Sequence, residues 1–364
     1  MRAIQSRFVP FLVAAAFVAL APIVSAFSVL VVPVGTNPAA LAFIPQTGEV
    51  AVANIGSDDV SILDPVTYRA STVPAGARPA AIVVNRATGY AYVANSWSNN
   101  VTAIYGYGEG KKRKTYATGA GPVSLAVNSL TNRIYVVNNE DGTVSSIDEN
   151  TGRTATIRVG NRPRAIAINE ATNRIYVANI WDATVTVIDG STNSVMATVP
   201  VVVWPYDVAV NPVTNQIYVG SGDGYGVTVL DGATNSTVEI TTNIWQPASL
   251  AVNTVTNKIY AAGAQGNGGI LVIDGATGTT TEIATPQAFP DAASLSGIAV
   301  NTATNKVYAV VGNQTNTLLV LDGVTNELTV RTLDYYPCAL AINPDNSKIY
   351  VSHCSGSSIS IISD

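Results

Sequence analysis

Few residues in this chain can carry chemistry, and their types narrow what that chemistry could be. The single histidine, His353, rules out a multi-histidine metal centre or a bis-histidine haem site. It stands directly before Cys354, and neighbouring residues of a strand point apart, so the two do not form a nucleophile and its base. His353 is therefore expected as a rim or packing residue. The other cysteine is Cys338. If the segment between the two folds as a hairpin around Asn343-Pro-Asp-Asn-Ser347, Cys338 comes opposite His353 or Cys354. An oxidising compartment then permits a disulfide, with two buried thiols as the alternative. The acidic stretches Asn138-Asn-Glu-Asp-Gly142 and Gly222-Asp-Gly224 match no full calcium-ligand pattern and read as hydrophilic turns. Lys111-Lys-Arg-Lys114 reads as a solvated strand edge that blocks edge-to-edge pairing. A contact for anionic lipid, polysaccharide or nucleic acid is the sharper alternative for that run. No metal site and no cofactor is expected.

The richer set is aromatic and basic: Trp97, Trp181, Trp204 and Trp245, with Tyr206, Tyr336, Arg78, Arg162, Arg164, Asp207 and Gln246 beside them. Such residues on variable loops of a rigid scaffold are the material of a recognition surface. Trp and Tyr offer flat apolar faces with a polar edge. The alternative is that Trp204 and Trp245 only cap the ends of neighbouring structural units.

What places these residues is an internal repeat. Leu125-Ala-Val-Asn-Ser-Leu-Thr-Asn-Arg-Ile-Tyr-Val-Val-Asn138 aligns with Ile166-Ala-Ile-Asn-Glu-Ala-Thr-Asn-Arg-Ile-Tyr-Val-Ala-Asn179 and with Val208-Ala-Val-Asn-Pro-Val-Thr-Asn-Gln-Ile-Tyr-Val-Gly-Ser221. The unit recurs at Val52, Tyr92, Tyr135, Tyr176, Tyr218, Tyr260, Tyr308 and Tyr350, with spacings of 40, 43, 41, 42, 42, 48 and 42. Each unit reads as four short strands, a to d. Strands a, b and c are apolar at nearly every position and rich in β-branched residues, which predicts burial on both faces. The a–b turns carry Thr-Asn or Thr-Gly, and the c–d turns run Asp-Gly-Ser-Thr-Asn or a close variant. Gly and Asn alternate at one place in each turn, as a left-handed residue closing a bulged hairpin demands.

Four-stranded units of this length predict an all-β chain folded as a β-propeller. Ser28 to Val34 looks like a strand d, and the last unit supplies only a, b and c, so the first strand should complete the last blade. Eight blades are expected, with seven as the alternative if the weak first unit is displaced. In this phase the d–a and b–c loops share one face, where all four Trp fall. The d–a residues are expected nearest the channel mouth, where concave sites form.

The segments "VNSLTNRIYVVN", "INEATNRIYVAN" and "VNPVTNQIYVGS", followed by "VTVIDGSTN", resemble the YVTN-repeat β-propellers, exported and cell-surface proteins related to surface-layer propellers. The resemblance covers nearly all of the chain after residue 26. Unit one departs from it, reading "EVAVAN" without the Tyr, and unit two lacks the Asp-Gly turn. It implies a binding or scaffold protein rather than an enzyme. Lactonase-like or quinone-dependent catalysis and a purely structural role in the cell envelope stay open.

Composition fits these readings. The chain has 364 residues, 47% hydrophobic and 12% charged, against about 25% charged in ordinary globular proteins. That hydrophobic content excludes a disordered chain, and a net charge of −5 gives no bulk attraction to nucleic acid. Residues 1–26 read as a signal peptide: Arg2 and Arg7, an apolar core from Phe11 to Ala21, then Val24-Ser25-Ala26. Its removal takes two arginines and moves the charge to −7. The expected product is one propeller domain over 27–364, exported to the periplasm, cell surface or medium. It should be monomeric, without a transmembrane segment, and bind a protein, glycan or small ligand of the envelope.

Overall fold

The computed structural model describes residues 27–106, 110–265, 268–285, 294–312, 316–333 and 335–363; the expected signal peptide lies outside them. Among the described residues there is no helix, hence none long and apolar enough to cross a membrane. The chain forms eight antiparallel sheets of four strands, so eight blades are observed. Blades 1 to 7 are each continuous in sequence, over 38–74, 79–117, 122–158, 163–200, 205–241, 245–284 and 294–332. Blade 4 is representative: a is Pro163–Asn169, b is Arg174–Asn179, c is Thr184–Asp189 and d is Ser194–Pro200. Blade 8 takes a, b and c from Pro337–Ile342, Ile349–His353 and Ser358–Ser363. Its strand d is Ser28–Pro33, paired from Ser28 opposite Ser363 to Pro33 opposite Ser358. The ring therefore closes as the phase of the repeat predicts.

The turns follow the expected backbone chemistry. Asn132, Asn173, Asn215, Asn257 and Asn305 in the a–b turns, and Asn193, Asn235 and Asn326 in the c–d turns, all have φ between 51° and 61°. Gly48, Gly89, Gly152 and Gly278 take the same left-handed place elsewhere.

Burial departs from expectation at strand a. Strands b and c are buried almost throughout, as in blade 4, and strand d is mostly exposed. Strand a is half-buried, as at Ala167 and Ile168, because it is the innermost strand: its two faces pack against the neighbouring blades while its inner edge is unpaired. An apolar run alone cannot tell a strand with one open edge from a strand paired on both sides. The repeat tyrosines Tyr92, Tyr135, Tyr176, Tyr218, Tyr260, Tyr308 and Tyr350 are among the largest fully buried side chains and pack in the clusters between blades. Burial holds the phenols of Tyr218 and Tyr260 up at about 12.

Two sets of asparagines hold this frame. The first ends strand a. Asn169 is fully buried; its Oδ1 accepts the N–H groups of Ala171 and Thr172, and its Nδ2 donates to Oδ1 of Asn215 in the next blade, at 2.7 Å. The same latch joins Asn85 to Asn132, Asn128 to Asn173, Asn211 to Asn257 and Asn253 to Asn305. Blades 2 to 7 are thus chained together. At the remaining joints the motif is absent: Ser347 and Gly48 stand where the acceptor asparagine would be, and Ile44 where the donor would be. The joint of blades 1 and 2 uses Gln46 to the carbonyl of Arg86, and that of blades 8 and 1 uses Lys348 to the hydroxyl of Tyr68. The second set ends strand b. Asn179 donates to the hydroxyls of Thr184 and Thr186, clamping the b–c hairpin. Asn54, Asn95 and Asn138 make the corresponding pairs five and seven residues on.

Candidate functional site

The face carrying the d–a and b–c loops is built at one repeated position. The strands a of blades 1 to 5 and of blade 8 begin with a proline, and that of blade 6 has Pro247 as its third residue; the residue before the proline stands at the end of the d–a loop or, in blade 6, at the start of the strand. In blades 1 to 6 that residue has positive φ: Asn37 (52°), Arg78 (58°), Gly121 (64°), Arg162 (50°), Trp204 (50°) and Gln246 (50°). Asn and Gly suit this backbone; Arg, Trp and Gln are uncommon there. Four of the residues expected in a recognition surface therefore share one strained place, where their side chains leave the end of the innermost strand. Tyr336 precedes Pro337 in blade 8 and is exposed.

The topology brings this position beside the b–c loop of the same blade. The guanidinium of Arg78 lies 4.7 Å from the ring of Trp97, and that of Arg162 lies 4.9 Å from Trp181. Both Trp rings stay well exposed, at 72% and 65%. Each stack holds an indole flat by cation–π attraction, worth about 0.5–1 kcal/mol at such a site. Arg162 also donates to Asn139 of blade 3, at 2.8 Å. Blade 3 lies between the two stacks and presents Glu140 and Asp141 instead of an indole. Trp245 meets Tyr225 of blade 5 edge-on at 4.6 Å.

A third group sits at the β-bulges that follow the prolines. The strand pairing slips between Pro163 and Ala165 and between Pro205 and Asp207, re-aiming Arg164 and Tyr206. The Arg164 guanidinium lies 3.5 Å from the Tyr206 ring, and burial lowers its pKa. Asp207 stands where most other blades have Ala or Ser. Its Oδ1 accepts the N–H of Val208 and its Oδ2 that of Leu250 in the next blade, both at 2.8 Å. Desolvation outweighs these donors and Arg164, and raises the carboxyl to about 6.

The expected surface residues thus fall into separate groups: Arg78 with Trp97, Arg162 with Trp181, Arg164 with Tyr206 and Asp207, and Trp245 with Tyr225. The spacing held a signal for the stacks, since Trp97 and Trp181 each follow their arginine by nineteen residues. Concavity is not confined to this face. A cavity of about 760 Å³ lies at the opposite mouth, where strands a end in the a–b turns.

His353 is fully buried, not at the rim. It replaces the strand-b asparagine: Nδ1 pairs with Ser358 and Nε2 with Ser360, five and seven residues on, at 2.9 and 3.0 Å. That clamp is a structural role. Cys338 and Cys354 are joined, with Cα atoms 6.0 Å apart. Lys112, Arg113 and Lys114 are exposed on strand d of blade 2, but Lys111 turns inward to a mostly buried ion pair with Glu49 at 2.8 Å. Among the described residues, no group of acids, histidines and cysteines could hold a metal ion.

No protein-family model matches the chain, and no curated protein does. Solved structures share the fold. One is virginiamycin B lyase from Staphylococcus aureus, 11% identical over 93% of this chain and 100% of that one, with a TM-score of 0.62. A streptogramin B lyase is 12% identical over 93% and 97%, with a TM-score of 0.63. The hydrazine synthase of Kuenenia stuttgartiensis is 17% identical over 68% and 77%, with a TM-score of 0.55. At these identities the likeness is one of architecture.

Proposed function

We propose that this β-propeller is a non-catalytic binding or scaffold protein of the YVTN-repeat type, acting at the cell envelope through the face formed by its d–a and b–c loops. The observation that carries the reading is the strained pre-proline position. Backbone strain of this kind costs about 1 kcal/mol or more per residue, and it gathers where function requires it. Gly121 occupies the same place in blade 3, yet blades 2, 4 and 5 carry Arg78, Arg162 and Trp204 there. The two Arg–Trp stacks present exposed, held indole faces, which suit a glycan ring or an aromatic side chain. The disulfide and the signal-like leader support an oxidising location.

The test is capture of envelope proteins and glycans by immobilised protein, comparing wild type with the double variant Trp97→Ala, Trp181→Ala. The double variant should lose the specific partner while keeping its thermal unfolding midpoint. Undiminished capture by a folded double variant would remove the reading. A second reading is an enzyme: Asp207, grouped with Arg164 and Tyr206 on this face, is a carboxyl of the kind used in general acid–base work. If Asp207→Asn abolished turnover of a cyclic ester or peptide substrate, the enzyme reading would replace the first.

A further inference from the structure

The two Arg–Trp stacks lie in blades 2 and 4, and the ground between them is continuous. The b–c loop that carries Trp97 holds the d–a loop leaving blade 2: the carbonyl of Asn99 accepts the N–H of Thr118 at 3.1 Å, and its Oδ1 accepts that of Gly121 at 3.0 Å. Asp141 of blade 3 accepts the N–H of Ala120 in the same d–a loop. Asn139, two residues before it, accepts from Arg162 and donates to the carbonyl of Pro163, both at 2.8 Å. Arg162 in turn holds Trp181. Trp97, Glu140 and Trp181 occupy one loop position in three consecutive blades, each two residues past the strand-b asparagine.

A groove of about 490 Å³ opens on this path, between blades 2 and 3. Residues 117–119 form its blade 2 wall. Its blade 3 wall is Asp141 and one face of the outer hairpin, where Thr143 pairs with Arg158 and Ser145 with Thr156. Asp141, Thr156 and Arg158 are exposed, so the groove offers a carboxylate, a hydroxyl and a guanidinium to whatever enters it. Among the described residues of 117–121 and 139–145, no large apolar side chain is exposed.

This pattern separates two kinds of partner. A protein interface is carried by a contiguous apolar centre inside a polar rim. Here two flat indole faces stand apart on polar ground. A chain of β-linked hexopyranoses is the complement: the axial C–H groups of each ring make an apolar face that an indole can cover, and the equatorial hydroxyls point outwards to polar groups. Glu140 and Asp141, exposed between the indoles, disfavour a polyanionic chain. We propose, resting on the binding role given to this face above, that the surface from Trp97 to Trp181 binds an extended, uncharged β-linked polysaccharide. One sugar ring stacks on each indole, and the units between them hydrogen-bond along the groove. Packed sheets lie about 10 Å apart, so indoles two blades apart stand about 20 Å from one another, and several sugar units are needed to reach both.

The probes are the hexamers of β-1,4-linked N-acetylglucosamine and β-1,4-linked glucose, with their dimers and a galacturonate hexamer as comparators, measured by calorimetry on the whole protein. At least one neutral hexamer should bind, and the difference between the two tells whether the acetamido groups are read. Its dimer should bind at least about tenfold more weakly, because it reaches one platform only. The galacturonate hexamer should also be at least about tenfold weaker. Trp97→Ala and Trp181→Ala should each weaken the hexamer about fivefold, and together about 25-fold. Both indoles are mostly exposed, so these variants should keep the unfolding midpoint. Thr156→Val with Arg158→Gln should weaken the hexamer about fivefold while both indoles remain. Absence of binding by both neutral hexamers, equal binding of hexamer and dimer, or hexamer binding unchanged in the double Trp variant overturns the proposal. Capture of an envelope protein through Trp97 and Trp181, with no neutral hexamer bound, also overturns it but leaves the binding role of the face standing.

Discussion

Replacing Asn179 with alanine tests the strand-b clamp most directly. The side chain is fully buried and makes three hydrogen bonds. Nδ2 donates to Thr184 at 3.1 Å and Thr186 at 2.9 Å, and Oδ1 accepts the N–H of Gly160 in the preceding d–a loop at 3.2 Å. Both threonine hydroxyls can rotate, so each lost bond there costs about 1 kcal/mol net, and the Gly160 amide left unpaired adds about 1 kcal/mol more. The expected loss is about 3 kcal/mol, a roughly 100-fold fall in protection where local opening governs exchange. Asn95 provides an internal standard. It makes the two donor bonds, but its Oδ1 has no partner, so Asn95→Ala should cost about 2 kcal/mol, or roughly 30-fold. Hydrogen exchange read by mass spectrometry over 174–189 and 91–105 measures both. The loss should stay within the altered blade and its d–a loop. Equal effects from the two variants, or changes below about fivefold in either, would refute the assignment of clamp energy to these bonds.

Further outcomes follow from the same structure. In the c–d turns Asp64, Asp148, Asp189, Asp231, Asp274 and Asp322 accept backbone N–H groups within three residues, which lowers each carboxyl below its ordinary value. Their stabilisation is present above the unfolded value near about 4 and lost as pH falls through the lower folded values. The urea midpoint should therefore drop on acidification below about pH 4, and Asp189→Asn with Asp231→Asn should flatten that fall; an unchanged slope would contradict it. The Cys338–Cys354 bond closes a loop with a sequence separation of 16, so Cys338→Ser with Cys354→Ser should lose about 3 kcal/mol. Alkylation should label neither cysteine before reduction, and rapid double labelling of native protein would exclude the bond.

The strands and turns were legible in the sequence because nearly every left-handed position of the a–b and c–d turns carries Gly or Asn, as at Asn132, Asn173 and Asn193, with Tyr68 and Ser347 the exceptions. Blade number and ring closure followed from counting and phase. The burial of strand a was not legible, since Ile168 and Ile175 pair on one face and read alike, and only the sheet order shows that strand a has an open edge. The clamp of Asn179 was visible as threonines five and seven residues on, though its meaning needs the hairpin register that sets them side by side. The same alignment places His353 in the asparagine column and explains its burial. The Arg162–Trp181 stack depends on a d–a loop folding beside the b–c loop of its own blade, which only the blade topology reveals.

The pairing of Ser28–Pro33 with Ser358–Ser363 sets an order of events as well as a shape. The strand that comes first in the propeller is the last to be seated, because its template does not exist until the eighth blade has formed. Until then the outer edge of Ser358–Ser363 is an open template for any other extended segment. Loop closure over such a separation is entropically slow to reward. A circular permutant in which all eight blades are continuous would seat every strand locally and should fold faster. It would also give up the clasp that lets no blade leave the ring without opening the last.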